Sequence, residues 1–118
     1  MKVHILDDSV RLRLDRGEVD ATGQGKRVEV STHFVAAQVF SGSLRVADLP
    51  AIQATLRDNH ISVVLPLRVA DQWASGDTAI SIRGKSGPTS LLVEKDFACL
   101  EPRRGEDQSN RFPNPRAV

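Results

Sequence analysis

The sequence predicts a small, mainly β domain with two short helices, closed or partly closed as a β-barrel. Three observations lead there. Short stretches that alternate apolar and polar residues recur along the chain. A chain of 118 residues has the size of one domain with one core. Two stretches offset by about fifty residues share one layout of strand, polar turn, strand, short helix, glycine and strand.

Taken in order, KVHIL (2–6) alternates, DDS supplies turn chemistry, and VRLRL (10–14) alternates again. Val10, Leu12 and Leu14 point to the core, and Arg11 and Arg13 point outward. Asp15 followed by Glu18 has the capping-box spacing and starts a short helix, which Gly23 and Gly25 stop. KRVEV (26–30) is the next strand. VAAQVF and SLRVADL, within 35–49, read as two strands or as one strand bent at Ser41-Gly42. IQATL (52–56), the RDNH turn and ISVVLP (61–66) form a second hairpin. LRVADQWASGD (67–77) suits a short helix closed by Gly76 that carries Val69 and Trp73, with Trp73 plugging an end of the barrel or, alternatively, anchoring a partner. TAISI (78–82) is a strand, GKSGP (84–88) a loop, and TSLLVEKDF (89–97) the last strand. The domain is drawn as residues 1–100. Residues 101–118 are an extended polar tail whose apolar anchor is Phe112.

Composition narrows the function. Hydrophobic residues make up 40 % and charged residues 26 %, which fits a packed globule rather than a disordered chain. Lys and Arg number 16 against 15 Asp and Glu, so no strong long-range pull toward nucleic acid or an anionic membrane is expected. No apolar run reaches membrane-spanning length and no charged-then-apolar leader occurs, so a soluble, cytoplasmic protein is expected. A single cysteine makes neither a disulfide framework nor a cysteine-rich zinc site. Aromatic residues are 4 %, too few for base-stacking platforms. GKSGP lacks the upstream glycine and following helix of a phosphate-binding loop. No cofactor and no metal site is expected, and His4, His33 and His60 have no ligand spacing.

The repeat has a physical consequence. A lone ββαβ unit leaves strand edges unpaired and one face bare. Two units related by an approximate twofold, residues 2–30 and 52–82, would cover each other and close a barrel. The second unit, ISVVLP, a short helix and then GDTAISI, resembles the swapped-hairpin barrels of bacterial transition-state regulators and antitoxins. Pro66, Gly76 and Asp77 occupy the matching places, and the first unit has Asp15 where the proline stands. The resemblance implies a barrel of two halves, here carried by one chain, in a family many of whose members bind DNA. The whole chain is also similar to a small uncharacterised bacterial family. The matching residues are Lys2, Ile5, Ser9, Arg11, Arg13 and Leu14 at the start, Pro66 and Trp73 in the middle, and LVEKDFACL, PRRGED and FPNP at the end. That resemblance implies no established activity and transfers no catalytic residue.

Chemistry-bearing residues gather in LLVEKDFACLEPRRGED (91–107). Alternation sets Leu92, Glu94 and Asp96 on one strand face and Val93, Lys95 and Phe97 on the other. Cys99 then packs as a small buried hydrophobe. Glu94 and Asp96 are expected to meet basic residues such as Arg11, Arg13, Arg103 or Arg104 and tie the tail to the first hairpin. Three functions follow. The first is a non-catalytic binding domain, its partner another protein or its own copy, with Arg11, Arg13, Glu94, Asp96, Arg103 and Arg104 as contact residues and no membrane partner. The second is nucleic-acid binding through an Arg11/Arg13 stripe free of acidic neighbours. The third is an enzyme or metal site around Glu94, Asp96 and Cys99.

Overall fold

Each half of the chain lends strands to the other, and two sheets result. A computed structural model describes residues 1–76, 81–96 and 112. The strands are β1 (Lys2–Leu6), β2 (Ser9–Leu14), β3 (Val28–His33), β4 (Val39–Ala47), β5 (Gln53–Arg57), β6 (His60–Pro66), β7 (Ser81–Ser86) and β8 (Thr89–Lys95). The helices are α1 (Arg16–Gly23) and α2 (Leu67–Ser75), and a short 3-10 turn spans Val35–Ala37. One sheet has the order β1-β2-β8-β7 and the other the order β3-β4-β6-β5. β2 pairs with β8 in parallel, and β4 pairs with β6 in parallel; the remaining neighbours are antiparallel. Exchanging β1-β2-α1-β3-β4 for β5-β6-α2-β7-β8 turns one sheet order into the other, so the pairing order occurs twice.

In place of the expected closed or partly closed barrel, the described residues form two four-stranded mixed sheets whose outermost strands are β1, β7, β3 and β5. Alternation specifies which face of a strand is buried. It does not specify whether the outermost strands join, and that depends on how closely their side chains let them approach.

Local chemistry explains most element ends. Asp15 accepts the Glu18 backbone N–H at 2.9 Å, and Glu18 Oε1 accepts the Asp15 N–H at 3.1 Å, completing the expected capping box. Gly25 follows α1 with φ of 79°, a conformation glycine adopts without cost. The β5–β6 turn holds Asp58 and Asn59 at φ of 51° and 61°, as tight two-residue hairpins require. α2 starts behind Pro66 and is capped at its end by Gly76. Gly23 lets α1 lie against α2, because a Cβ there would stand 2.8 Å from the Ala74 Cβ.

Several boundaries differ from expectation. β3 begins at Val28 rather than Lys26. Ser41-Gly42 does not bend the chain; β4 runs through it, because Gly42 lies in the ladder opposite Val30 and Ile61. GKSGP is not a loop throughout. Gly84, Lys85 and Ser86 are in β7, and the turn is confined to Gly87-Pro88, with Gly87 at φ of 56°. Residues 77–80, 97–111 and 113–118 lie outside the described residues, and with them the expected start of the TAISI strand, Phe97, Cys99, Arg103 and Arg104.

The core sits between the sheets and under the helices. Leu12, Leu14, Leu44, Val63, Leu65 and Val93 are buried from the sheets, and Val19, Ala70 and Trp73 from the helices. Val10 is half-buried against it. Trp73 is fully covered, but its buried helix neighbour is Ala70; Val69 is exposed. Thr22 is buried with its hydroxyl donating to Glu18 O at 2.9 Å, so no polar group is stranded there. Phe112 returns to the domain. Its N–H donates to Asp96 O at 3.0 Å, and its ring centre lies 5.4 Å from Lys95 Nζ and 5.5 Å from Arg16 Cζ.

Gly84 meets the Ile52 side chain so closely that no Cβ fits between them. Gly84→Ala should therefore destabilise by about 1–3 kcal/mol in urea unfolding. Adding Ile52→Ala should make the glycine replacement cheaper than it is with Ile52 present, which a double-mutant cycle measures.

Candidate functional site

The outward face of the β1-β2-β8-β7 sheet gathers four of the six residues expected to form the contact surface. Register places them in rows. Lys2 lies opposite Arg13, Arg13 opposite Glu94, and Glu94 opposite Ser81. In the next row His4 lies opposite Arg11, Arg11 opposite Leu92, and Leu92 opposite Arg83. Neighbouring strands are about 4.8 Å apart, so charges in one row act on one another.

Glu94 is the centre of this face. Arg13 Nε donates to Glu94 Oε1 at 2.6 Å, and Arg11 Nε lies 3.7 Å from the same oxygen. Glu94 is mostly covered, while both arginines stay about half exposed. The expected tie between β8 and the first hairpin is present for Glu94. Asp96 meets a different cation: Lys2 Nζ lies 3.2 Å from Asp96 Oδ2. Glu29 pairs with Arg27 at 2.7 Å and does not reach Arg11 or Arg13.

Arg83 and Lys85 complete the face from β7 and make no ion pair among the described residues. The sequence reading missed them because flanking glycines made GKSGP look like a loop. The available signal was the alternation of Ile82, Gly84 and Ser86 with Arg83 and Lys85. Lys2, Arg11, Arg13, Arg83 and Lys85 thus stand against Glu94 and Asp96, and the face carries excess positive charge although the whole chain is nearly neutral.

Lys95, on the opposite face of β8, is buried at 7 % exposure. A buried ammonium must be paired or hydrogen-bonded. Its Nζ donates to Gly76 O at 2.7 Å at the C-terminal cap of α2, where the helix dipole favours a cation. Lys95 links the end of β8 to the end of α2 and faces away from the charged surface.

The second polar cluster lies on the other sheet. His60 opens β6 rather than sitting in the turn. Its Nδ1 is 2.6 Å from Ser41 Oγ, its Nε2 is 2.9 Å from Ser43 Oγ, and Arg27 Nη2 is 3.5 Å from Nε2. Ser41 and Ser43 share one face of β4, so the ring bridges two residues of a neighbouring strand. Both ring nitrogens are engaged, and the arrangement clasps β6 to β4. The spacing of Ser41, Ser43 and His60 in sequence carried no sign of this; only the parallel register brings them together. His4 and His33 are exposed. Among the described residues, no group of three or more His, Cys, Asp or Glu is placed to hold a metal ion.

A third feature escaped the sequence reading. The turn end of the molecule exposes Ile5, Leu6, Phe34, Val35 and Leu56, with Val35 at 85 % and Leu56 at 70 %. Ile5, Val10, Ala54, Leu56 and Ile61 line a cleft of about 220 Å³ between the two hairpins, bordered by Asp7 and Asp8. Ile5 also lines a second cleft of about 490 Å³, between β1 and β3. No helix is long and apolar enough to cross a membrane among the described residues.

The Arg13–Glu94 contact is short but open to water, so its coupling should be small. A double-mutant cycle of Arg13→Ala and Glu94→Ala should give about 0.2–1 kcal/mol, falling as salt rises.

No curated protein and no solved structure matches the chain. A family model does, described as a family of unknown function (DUF7009), over residues 1–116, nearly the full length. The chain, with its Glu94-centred charged face and its apolar turn end, belongs to that family of unknown function.

Proposed function

We propose that this protein is a non-catalytic protein-interaction domain whose contact surface is the turn end of the two sheets. The observation that carries this reading is the group of large apolar side chains held in water there: Ile5, Leu6, Phe34, Val35 and Leu56. Exposed apolar groups gathered at one end and rimmed by polar residues are the physical signature of a surface that another protein covers. The flanking turns set Asp7, Asp8, Arg57 and Asp58 around these side chains, a polar rim that carries both signs of charge. The backbone supports the same arrangement. Ala36 and Ala37 hold φ of 58° and 59°, which costs residues other than glycine about 1–3 kcal/mol each. The turn is closed by the Phe34 N–H donating to Gln38 O at 2.8 Å, and it presents Phe34 and Val35 outward.

A second reading is a polyanion such as duplex DNA on the charged sheet face. Arg83 and Lys85, without carboxylate partners among the described residues, favour it. Arg11 and Arg13, which share Glu94, weaken it, because phosphate contacts would first have to displace that carboxylate.

The first reading is tested by comparing capture of partner proteins by wild type and by Leu6→Asp/Leu56→Asp. The pair should abolish capture by a factor of about 100 or more while unfolding stability changes little, since both side chains are already exposed. Capture that is indifferent to this pair removes the reading. The second is tested by titrating duplex DNA at low salt: binding should weaken steeply as salt rises, and absence of binding at low salt ends it.

A further inference from the structure

We propose that the seam between β1 and β3 takes up an extended peptide segment of a partner protein as an added strand on the β1 edge, with apolar side chains turned inward and carboxylates turned outward. The inference rests on the binding-domain reading above and names the mode of binding.

The fold creates this seam twice. β1 and β3 are outermost strands of different sheets, and so are β5 and β7. Matching the hairpin pairs Leu6↔Ser9 and Arg57↔His60 sets β1 on β5. Matching the pairs Val28↔Leu44 and Ile82↔Val93 sets β3 on β7. Val3 and Val30 of the first seam then stand where the second has Ala54 and Gly84.

The two seams differ as those residues dictate. Between β5 and β7, Ile52 lies directly on Gly84, and Ser86 Oγ donates to Ala54 O at 3.4 Å. Small residues let those edges approach. Between β1 and β3, Val3 and Val30 reach over Gly42 instead, and in neither seam does a backbone hydrogen bond join the two outermost strands. A cleft of about 490 Å³ remains, lined by Val3 and Ile5 from β1, Val30 and Thr32 from β3, and Phe40 from β4. That volume lies within the range of clefts that hold ligands, about 300–1,000 Å³.

The chemistry of the cleft specifies its occupant. An outermost strand directs alternate N–H and C=O groups away from its own sheet, so β1 offers a row of main-chain donors and acceptors that pair with no other described residue. An extended peptide satisfies such a row by strand addition. Side chains of the added strand alternate. Inward ones meet Val3, Ile5, Val30 and Phe40, which selects apolar residues. Outward ones lie beside Lys2 and His4, on a sheet face where Arg11, Arg13, Arg83 and Lys85 outweigh Glu94 and Asp96. Carboxylates fit there, and cations do not.

The test uses the full chain and three labelled eight-residue peptides: one alternating valine with glutamate, one with lysine in place of glutamate, and one glutamate peptide N-methylated at alternate amides. Fluorescence anisotropy should show binding of the glutamate peptide, binding of the lysine peptide at least about tenfold weaker, and none by the N-methylated peptide. Hydrogen exchange should slow at the β1 amides. Val3→Ala/Val30→Gly, which copies the closed seam, should abolish binding. Equal binding of the N-methylated peptide, protection confined to other strands, or no binding of the glutamate peptide overturns the inference. If the peptide fails while Leu6→Asp/Leu56→Asp still abolishes partner capture, the seam inference falls alone. If capture is indifferent to those variants as well, both fall.

Discussion

The structure depends on two parallel ladders, β2 with β8 and β4 with β6. Each joins a strand from one half of the chain to a strand from the other. Neither half can complete a sheet alone: β1-β2 has no third strand until β8 arrives, and β5-β6 has none until β4 is beside it. Both sheets and the shared core must therefore form together. The β2–β8 pairing closes most of the chain length, from Ser9↔Ser90 to Leu14↔Lys95. Such long-range pairing costs loop entropy before it returns any contact, so slow, cooperative folding is the expected regime.

The same ladders decide what the polar residues do. Placing β8 beside β2 sets Glu94 between Arg11 and Arg13 and brings Asp96 within reach of Lys2. Placing β6 beside β4 lays His60 across Ser41 and Ser43. In both cases groups remote in sequence satisfy each other on a sheet face. The Arg13–Glu94 contact is open to water and contributes little energy, whereas the His60 contacts are partly buried; all of them set register. The proposed contact surfaces lie where the ladders stop, at the outermost strands and the apolar turns.

Much of the local structure was legible in the sequence because its causes are local. The capping box at Asp15 and Glu18, the turn at Asp58-Asn59 and the alternation in VRLRL each act within a few residues. The approach of Glu94 to Arg11 and Arg13 was legible because alternation gave all three the same kind of face. What was not legible depends on the partner strand. Gly42 and Gly84 looked like breakers, yet each lies within a ladder; Gly84 is where Ile52 crosses the strand. Alternation set Lys95 on the face of Val93 and Phe97 but gave no reason for an ammonium to be buried there; the end of α2 supplies it, through a carbonyl. The apolar turn end was missed because exposed and buried leucines look alike until the sheets are placed.

Two seams of the same connectivity, one fastened and one not, have a mechanical meaning. Ile52 on Gly84 and Ser86 on Ala54 hold the sheets together along one side, as a binding holds pages. The valines along the other side leave a fore-edge. Separation of the sheets is then not uniform. Any opening that keeps Ile52 on Gly84 turns about the β5–β7 side, and the half-buried Val3 and Phe40 on the opposite side are the first to lose their remaining cover.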